Sequence, residues 1–212
     1  MLRKFLDGVA AGVMITIGCA VYLACSDKYV GAVLFSVALL TICMNGYSLF
    51  TGKVGFIPEK HGKEELLTLF FGLLGNAVAM VGFGLIISVT MPELKAKAIL
   101  LYDAKLTQEF YQTFVRAIFC GVLMYVAVVI FRDKKSVAGI FLAIPTFILC
   151  GFEHSIADMG YFAISGQFSL SAIAFILIVI VGNAVGGMLL PVLNGKLKIN
   201  KTKSEVSDEK AN

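Results

Sequence analysis

The sequence predicts an all-α membrane protein, with six transmembrane spans in two inverted three-span repeats and with spans 2 and 5 interrupted. Three observations carry this. The chain is 58% hydrophobic and only 15% charged, with a mean hydropathy of +0.89, against roughly 45–50% apolar usage in soluble domains. Its apolar residues run in long blocks rather than in amphipathic stripes. A four-residue segment, "GNAV", begins at Gly75 and again at Gly182, an offset of 107 residues in a chain of 212.

A span needs about 20 mostly apolar residues. Six segments qualify: 6–25, 30–52, 66–91, 112–131, 137–165 and 168–193. The first follows Arg3 and Lys4, as the core of a signal peptide would, and ends in "YLAC" at 22–25. Tyr22 is a poor residue for a lipoprotein cleavage site, and "GVAAG" at 8–12 has the small-xxx-small spacing of packed transmembrane helices. We therefore expect a retained span. The segment from Pro92 to Gln112 mixes charged and apolar residues and suits a short helix outside the membrane. The membrane domain covers 1–193, with repeats of about 5–91 and 112–193. The tail at 194–212, "NGKLKINKTKSEVSDEKAN", reads as polar, solvated and disordered.

Loop charge sets the orientation. With the N-terminus inside, the cytoplasmic segments hold Arg3, Lys4, Lys53, Lys60, Lys63, Arg132, Lys134, Lys135, Lys196, Lys198, Lys201, Lys203 and Lys210. The outside keeps Lys28, Lys95, Lys97, Lys105 and Arg116. Both termini are expected in the cytoplasm. The net charge of +4 is thus a matter of topology rather than of nucleic-acid binding. The five cysteines lie inside apolar blocks without a C-x-x-C pair and read as small hydrophobes. His61, in the charged "EKHGKEE", reads as an exposed loop residue.

Spans 2 and 5 are unlike the others. The second carries "NGYSLFTG" near its end, and the fifth carries "GFEHSIADMG" in its middle, bounded by Gly151 and Gly160. Adding 107 to residues 45–52 gives 152–159, so the two interruptions occupy the same place in a three-span unit. Three spans are an odd number, so the second unit enters from the opposite side, a plan in which sites lie near the midplane at the repeat interface. Non-helical backbone at that depth survives only where protein or a water-filled cavity satisfies it.

If both loops meet in the centre, His154 comes close to Thr51 and Ser155. Ionisable residues within a membrane are costly and mark ion or proton pathways, and imidazole changes charge near neutral pH. Glu153 is expected to face protein and accept hydrogen bonds. Asp158 is expected to cap the following half-helix. Half-helix N-termini would offer positive dipole ends to an anion, but the opposing half-helices end there with negative ones, so dipoles do not choose the sign of the ion. Phe35, Leu39, Leu49, Phe50 and Phe147 suit dry constrictions, although core packing explains any one of them alone.

"GFEHSIADM" together with "LFTG", two glycine–asparagine helices and "VGNAVGG" resembles the formate/nitrite transporter family, from about Phe5 to Pro191. "DAKLTQEF" fits as well, with Lys105 at the position of that family's characteristic lysine. The resemblance implies an aquaporin-like protomer in a homopentamer, each protomer having its own pore, in a bacterial cytoplasmic membrane. It implies two hydrophobic constrictions, from Phe35, Leu39, Leu49, Phe50 and Phe147, around a vestibule holding the histidine. Thr51 becomes the hydrogen-bond partner of His154, and Lys105 makes the outer approach attractive to anions. The family reads Asn where this chain has Asp158, and a polar amide where it has Gly121. Both departures resemble the hydrosulfide-channel branch. The expected cargo is a small monovalent anion, hydrosulfide first and formate or nitrite next, with no cofactor, no metal and no enzymatic activity. Two other readings stay open: a membrane-embedded enzyme using Glu153, His154 and Asp158 as ligands or acid–base groups, and a membrane protein that conducts nothing.

Overall fold

The computed structural model describes residues 1–195; the tail expected to be disordered lies, from residue 196 on, outside the described residues. Described elements are helical: α1 (Leu2–Ala24), α2 (Lys28–Asn45), α3 (Phe50–Lys53) running into a 3-10 turn (Val54–Phe56), α4 (Lys63–Thr90), α5 (Pro92–Leu106), α6 (Phe110–Lys134), α7 (Ala138–Leu149), α8 (Ser155–Ser165) and α9 (Leu170–Leu193). Five of them, α1, α2, α4, α6 and α9, are long and apolar enough to cross a membrane. Their outer faces expose large apolar side chains, among them Val30, Leu34, Phe70, Val78, Leu177 and Val181. Such faces belong in lipid or against a neighbour, and the chain is a multi-pass membrane protein.

The expected spans and the observed helices agree except at the two interruptions. The second expected span, 30–52, is α2, a non-helical segment at 46–49 and the short α3. The fifth, 137–165, is α7, a break at 150–154 and α8. α7 has 12 residues and at 1.5 Å per residue reaches about 18 Å, less than a hydrocarbon core of about 30 Å. The left-handed φ of +70° at Gly46 and +67° at Gly151 turns the chain out of each preceding helix, a conformation that suits glycine. The second break is shorter than the sequence suggests: Asp158 and Gly160 lie inside α8. The segment after Thr90 forms a full 15-residue helix, α5, with Pro92 in its first turn.

α1 packs along α4, and α6 along α9, while α2 and α7 meet between the two pairs. Both pairs rely on missing side chains. A Cβ on Gly75 would stand 2.3 Å from the carbonyl oxygen of Phe5, and one on Gly186 would stand 1.9 Å from that of Ile118. Such approach of backbones is how helices associate where apolar faces gain nothing by leaving lipid. Between the pairs, Ile15, Phe35, Leu39, Leu49, Ile140, Ile144 and Ile156 form the dry centre on which both interruptions converge.

Candidate functional site

Each interruption is held by one asparagine. Asn76, from α4, donates through Nδ2 to the carbonyls of Gly8 (2.8 Å) and Ser48 (2.9 Å) and accepts the Phe50 N–H at 3.0 Å. Asn183, from α9, donates to the carbonyls of Ala117 (2.9 Å) and Glu153 (2.8 Å) and accepts the Ser155 N–H at 2.9 Å. Both asparagines are fully buried. A side-chain amide has two donors and an acceptor, which suits the orphan groups on either side of a break in a helix. These bonds pair Ser48 with Glu153 and Phe50 with Ser155, an offset of 105 rather than 107. Leu49 and His154 are therefore the corresponding residues, both extended and both N-caps, of α3 and α8.

His154 completes its half-helix through its ring. Nδ1 accepts the Ala157 N–H at 3.0 Å, the bond expected of an N-cap. Asp158 therefore does not cap α8; it sits one turn in, among the first-turn residues, because the imidazole already occupies the capping place. Nε2 lies 2.8 Å from Thr51 Oγ1. With Nδ1 engaged as an acceptor, the neutral ring carries its proton on Nε2 and donates it to Thr51. The threonine's own O–H is then free to donate elsewhere. Phe147 stacks on the ring with centroids 5.6 Å apart. The hydroxyl of Ser155 is buried and has no partner among the described residues.

One cavity reaches His154, and a second reaches Gly52, next to Thr51 in α3, and Leu49, the N-cap of α3; Thr51 itself lines neither. The first, of about 180 Å³, is lined by Tyr22, Phe35, Leu101, Lys105, Phe147, Phe152, His154, Asp158 and Tyr161, with Gly151 at its wall. The second, of about 380 Å³, is lined by Leu39, Leu49, Gly52, Lys53, Phe56, Phe131 and Arg132, among others. Of the residues expected at constrictions, Phe35 and Phe147 thus belong to the first side and Leu39 and Leu49 to the second. Phe50 is buried but lines neither cavity, its N–H being the group Asn76 holds.

Lys105, at the end of α5, pairs with Glu153 and, at 2.9 Å, with Asp158 Oδ1. Glu153 Oε1 also accepts from Gln108 Nε2 at 2.7 Å, so the expectation that Glu153 faces protein and accepts hydrogen bonds describes its environment. Gly121 stands away from the cavities: a Cβ there would come within 2.3 Å of the Asn183 carbonyl oxygen. The α6–α9 contact leaves no room for an amide. Sequence reasoning passed over Gln108 and over the role of the two asparagines, which it read as part of a repeat; an amide recurring inside glycine-rich apolar helices was the available signal.

Paired broken helices, each pinned by a buried asparagine and converging on one apolar centre, define a membrane protein of interrupted helices. The family model described as "Formate/nitrite transporter" matches residues 1–194, and the chain belongs to that family. Among curated relatives, the uncharacterized transporter YwcJ of Bacillus subtilis (strain 168) is 30% identical over 148 residues, which cover 63% of this chain and 58% of YwcJ. The chain thus matches little more than half of that relative's length. A formate-nitrite transporter of Plasmodium ovale is 26% identical over 212 residues, covering 87% of this chain and 68% of that protein. Two solved structures share the fold. A pentameric formate channel with formate bound superposes with a TM-score of 0.74 at 23% identity, covering 92% of this chain and 95% of that one. An ion channel of the same family gives 0.75 at 23% identity, covering 92% and 89%.

Proposed function

We propose that this protein is a channel or transporter for small monovalent anions, most favourably hydrosulfide, with formate or nitrite as the alternative. The observation that carries the reading is the His154–Thr51 pair, 2.8 Å apart and buried, with His154 in the wall of the smaller cavity. An anion leaving the 180 Å³ cavity sheds most of its water at the apolar walls of Phe35 and Phe147. The Thr51 O–H, freed because it accepts from Nε2–H, supplies a directed donor at that point. Lys105 attracts the anion from its own side. A weakly hydrated ion loses least in so apolar a passage, which favours hydrosulfide; Asp158 in place of the family's asparagine points the same way.

The remaining parts of the reading are a homopentamer with one pore per protomer, six crossings in two inverted repeats, and both termini in the cytoplasm of a bacterium. The formate channel sharing this fold is pentameric, and the asparagine clamps recur at equivalent places in the two halves. Membership of a transporter family favours transport over catalysis by Glu153, His154 and Asp158, and Lys105 already engages the carboxyl groups of Glu153 and Asp158. The deciding experiment is flux into liposomes holding the purified protein, with hydrosulfide, formate, nitrite and chloride compared. Hydrosulfide is expected to move fastest; no flux of any of the four overturns the reading.

A further inference from the structure

The smaller cavity has a neighbour on the side of α5. A wider cavity, of about 510 Å³, is lined by Lys28 and Lys97, with no acidic residue among the described ones. Tyr22 and Leu101 line both, so the two cavities are parted by a ring on α1 and an aliphatic side chain on α5. Neither residue is among the five expected at constrictions, and Phe35 and Phe147 line only the inner cavity of the two. Tyr22 is set in place by two other helices. Tyr161, from α8, meets its ring edge-on with centroids 6.3 Å apart. Gly31, from α2, leaves room for it: a Cβ there would stand 3.2 Å from Tyr22 Cδ2.

Leu101 is set in place by its own helix. Lys97, Leu101 and Lys105 follow one another at intervals of four residues, which puts them on one face of α5. Lys97 Nζ donates to the Leu23 carbonyl at 2.5 Å. That carbonyl lies in the last turn of α1, where no helical N–H reaches it and where a cation suits the helix dipole. Lys105 pairs with Glu153 and with Asp158 of α8. α5 is thus fastened to α1 one turn before Leu101 and to α8 one turn after it, which holds the leucine beside the tyrosine. We propose that Tyr22 and Leu101 form an outer sieve, selecting anions by size before they reach His154. The lysines of the wider cavity draw in anions of any size, and the sieve passes ions as small as formate and holds back larger carboxylates. The selection rests on the anion-transport reading, while the barrier itself does not.

Two measurements test this. The first needs no transport. In nanodiscs holding the purified protein with its native cysteines replaced, Ala157→Cys puts a thiol in the wall of the inner cavity, and its labelling by the anion 2-sulfonatoethyl methanethiosulfonate is timed. Adding Tyr22→Ala or Leu101→Ala is expected to speed labelling at least about tenfold, since losing a blocking side chain lowers the barrier to entry. Equal rates in all three proteins, no labelling included, overturn the barrier whatever the flux. The second is flux of formate and of pyruvate into liposomes. The pyruvate-to-formate ratio is expected to rise at least about tenfold in Tyr22→Ala and in Leu101→Ala, the order of discrimination that shape gives in an apolar site. A ratio equal to that of the wild type in both variants overturns the selection. If labelling speeds up while no anion crosses the wild-type protein, the transport reading and the selection fall together and the barrier stands.

Discussion

At the scale of single residues, the site depends on how one imidazole divides its two nitrogens. Nδ1 closes the first turn of α8, and Nε2–H spends itself on Thr51. Thr51→Val keeps the shape of the side chain, removes the hydroxyl that would face the ion, and strands Nε2–H without an acceptor. A hydrogen bond to a charged group contributes about 1.5–3 kcal/mol, so formate flux in liposomes should fall about tenfold or more, with Thr51→Ser restoring it and the oligomer still assembling. Unchanged flux in Thr51→Val would remove the threonine from the path. His154 was legible in the sequence because an ionisable group inside an apolar run needs a reason. Asp158 was legible as a costly residue but not in its role: the ring of His154, four positions earlier, caps the helix instead. Lys105 became visible only through the resemblance, since its partners Glu153 and Asp158 are 48 and 53 residues further along the chain.

At the scale of elements, the two interruptions exist because an amide side chain from a neighbouring helix replaces the helical bonds each break removes. Asn183→Asp keeps the acceptor for the Ser155 N–H but takes donors from the carbonyls of Ala117 and Glu153 and sets a carboxylate against them. Each buried group left without a partner costs about 1–3 kcal/mol. The thermal transition of the purified protein should therefore drop by roughly 5–15 °C, at about 2–4 °C per kcal/mol for a chain of this size. Asn76→Asp should do the same from the other half, since it serves Gly8, Ser48 and Phe50 in the same way. A transition within a degree of the wild type for both variants would deny the clamps their structural weight. The breaks themselves were readable, their glycines and polar residues standing out against the apolar runs. Their register was not. "GNAV" aligns the asparagine helices at 107, whereas the loops they hold align at 105, because the hydrogen bonds pair the two breaks directly and the connecting segments differ in length.

At the scale of the whole molecule, charge is sorted between two ends. Lys4, Lys53, Lys60 and Arg132 gather, among Glu59, Glu64 and Glu65, around a cavity of about 430 Å³ at one end, bringing together the start of α1, the segment after α3 and the end of α6. Lys28 and Lys97 line another with Ser26 and Leu23, beyond the opposite end of α1. Five long apolar helices were legible because lipid imposes a length and a composition. The closeness of α1 to α4 and of α6 to α9 was less so, since it depends on where glycines face each other across 60 or more residues. The start of α1 lies at the end that gathers Lys4 and Arg132, and α9, running beside α6, ends near the same side, where Gly187 meets Gly55. Positive charge is retained on the cytoplasmic side during insertion, so a green fluorescent protein fused after residue 212 should fluoresce in living bacteria, while alkaline phosphatase fused there should be inactive. A cysteine introduced at Ser26 should react with a membrane-impermeant maleimide added to intact cells, in a background with the native cysteines replaced. An active phosphatase fusion with an unreactive position 26 would invert the molecule in the membrane. Lys105 and Asp158 would then face the cytoplasm.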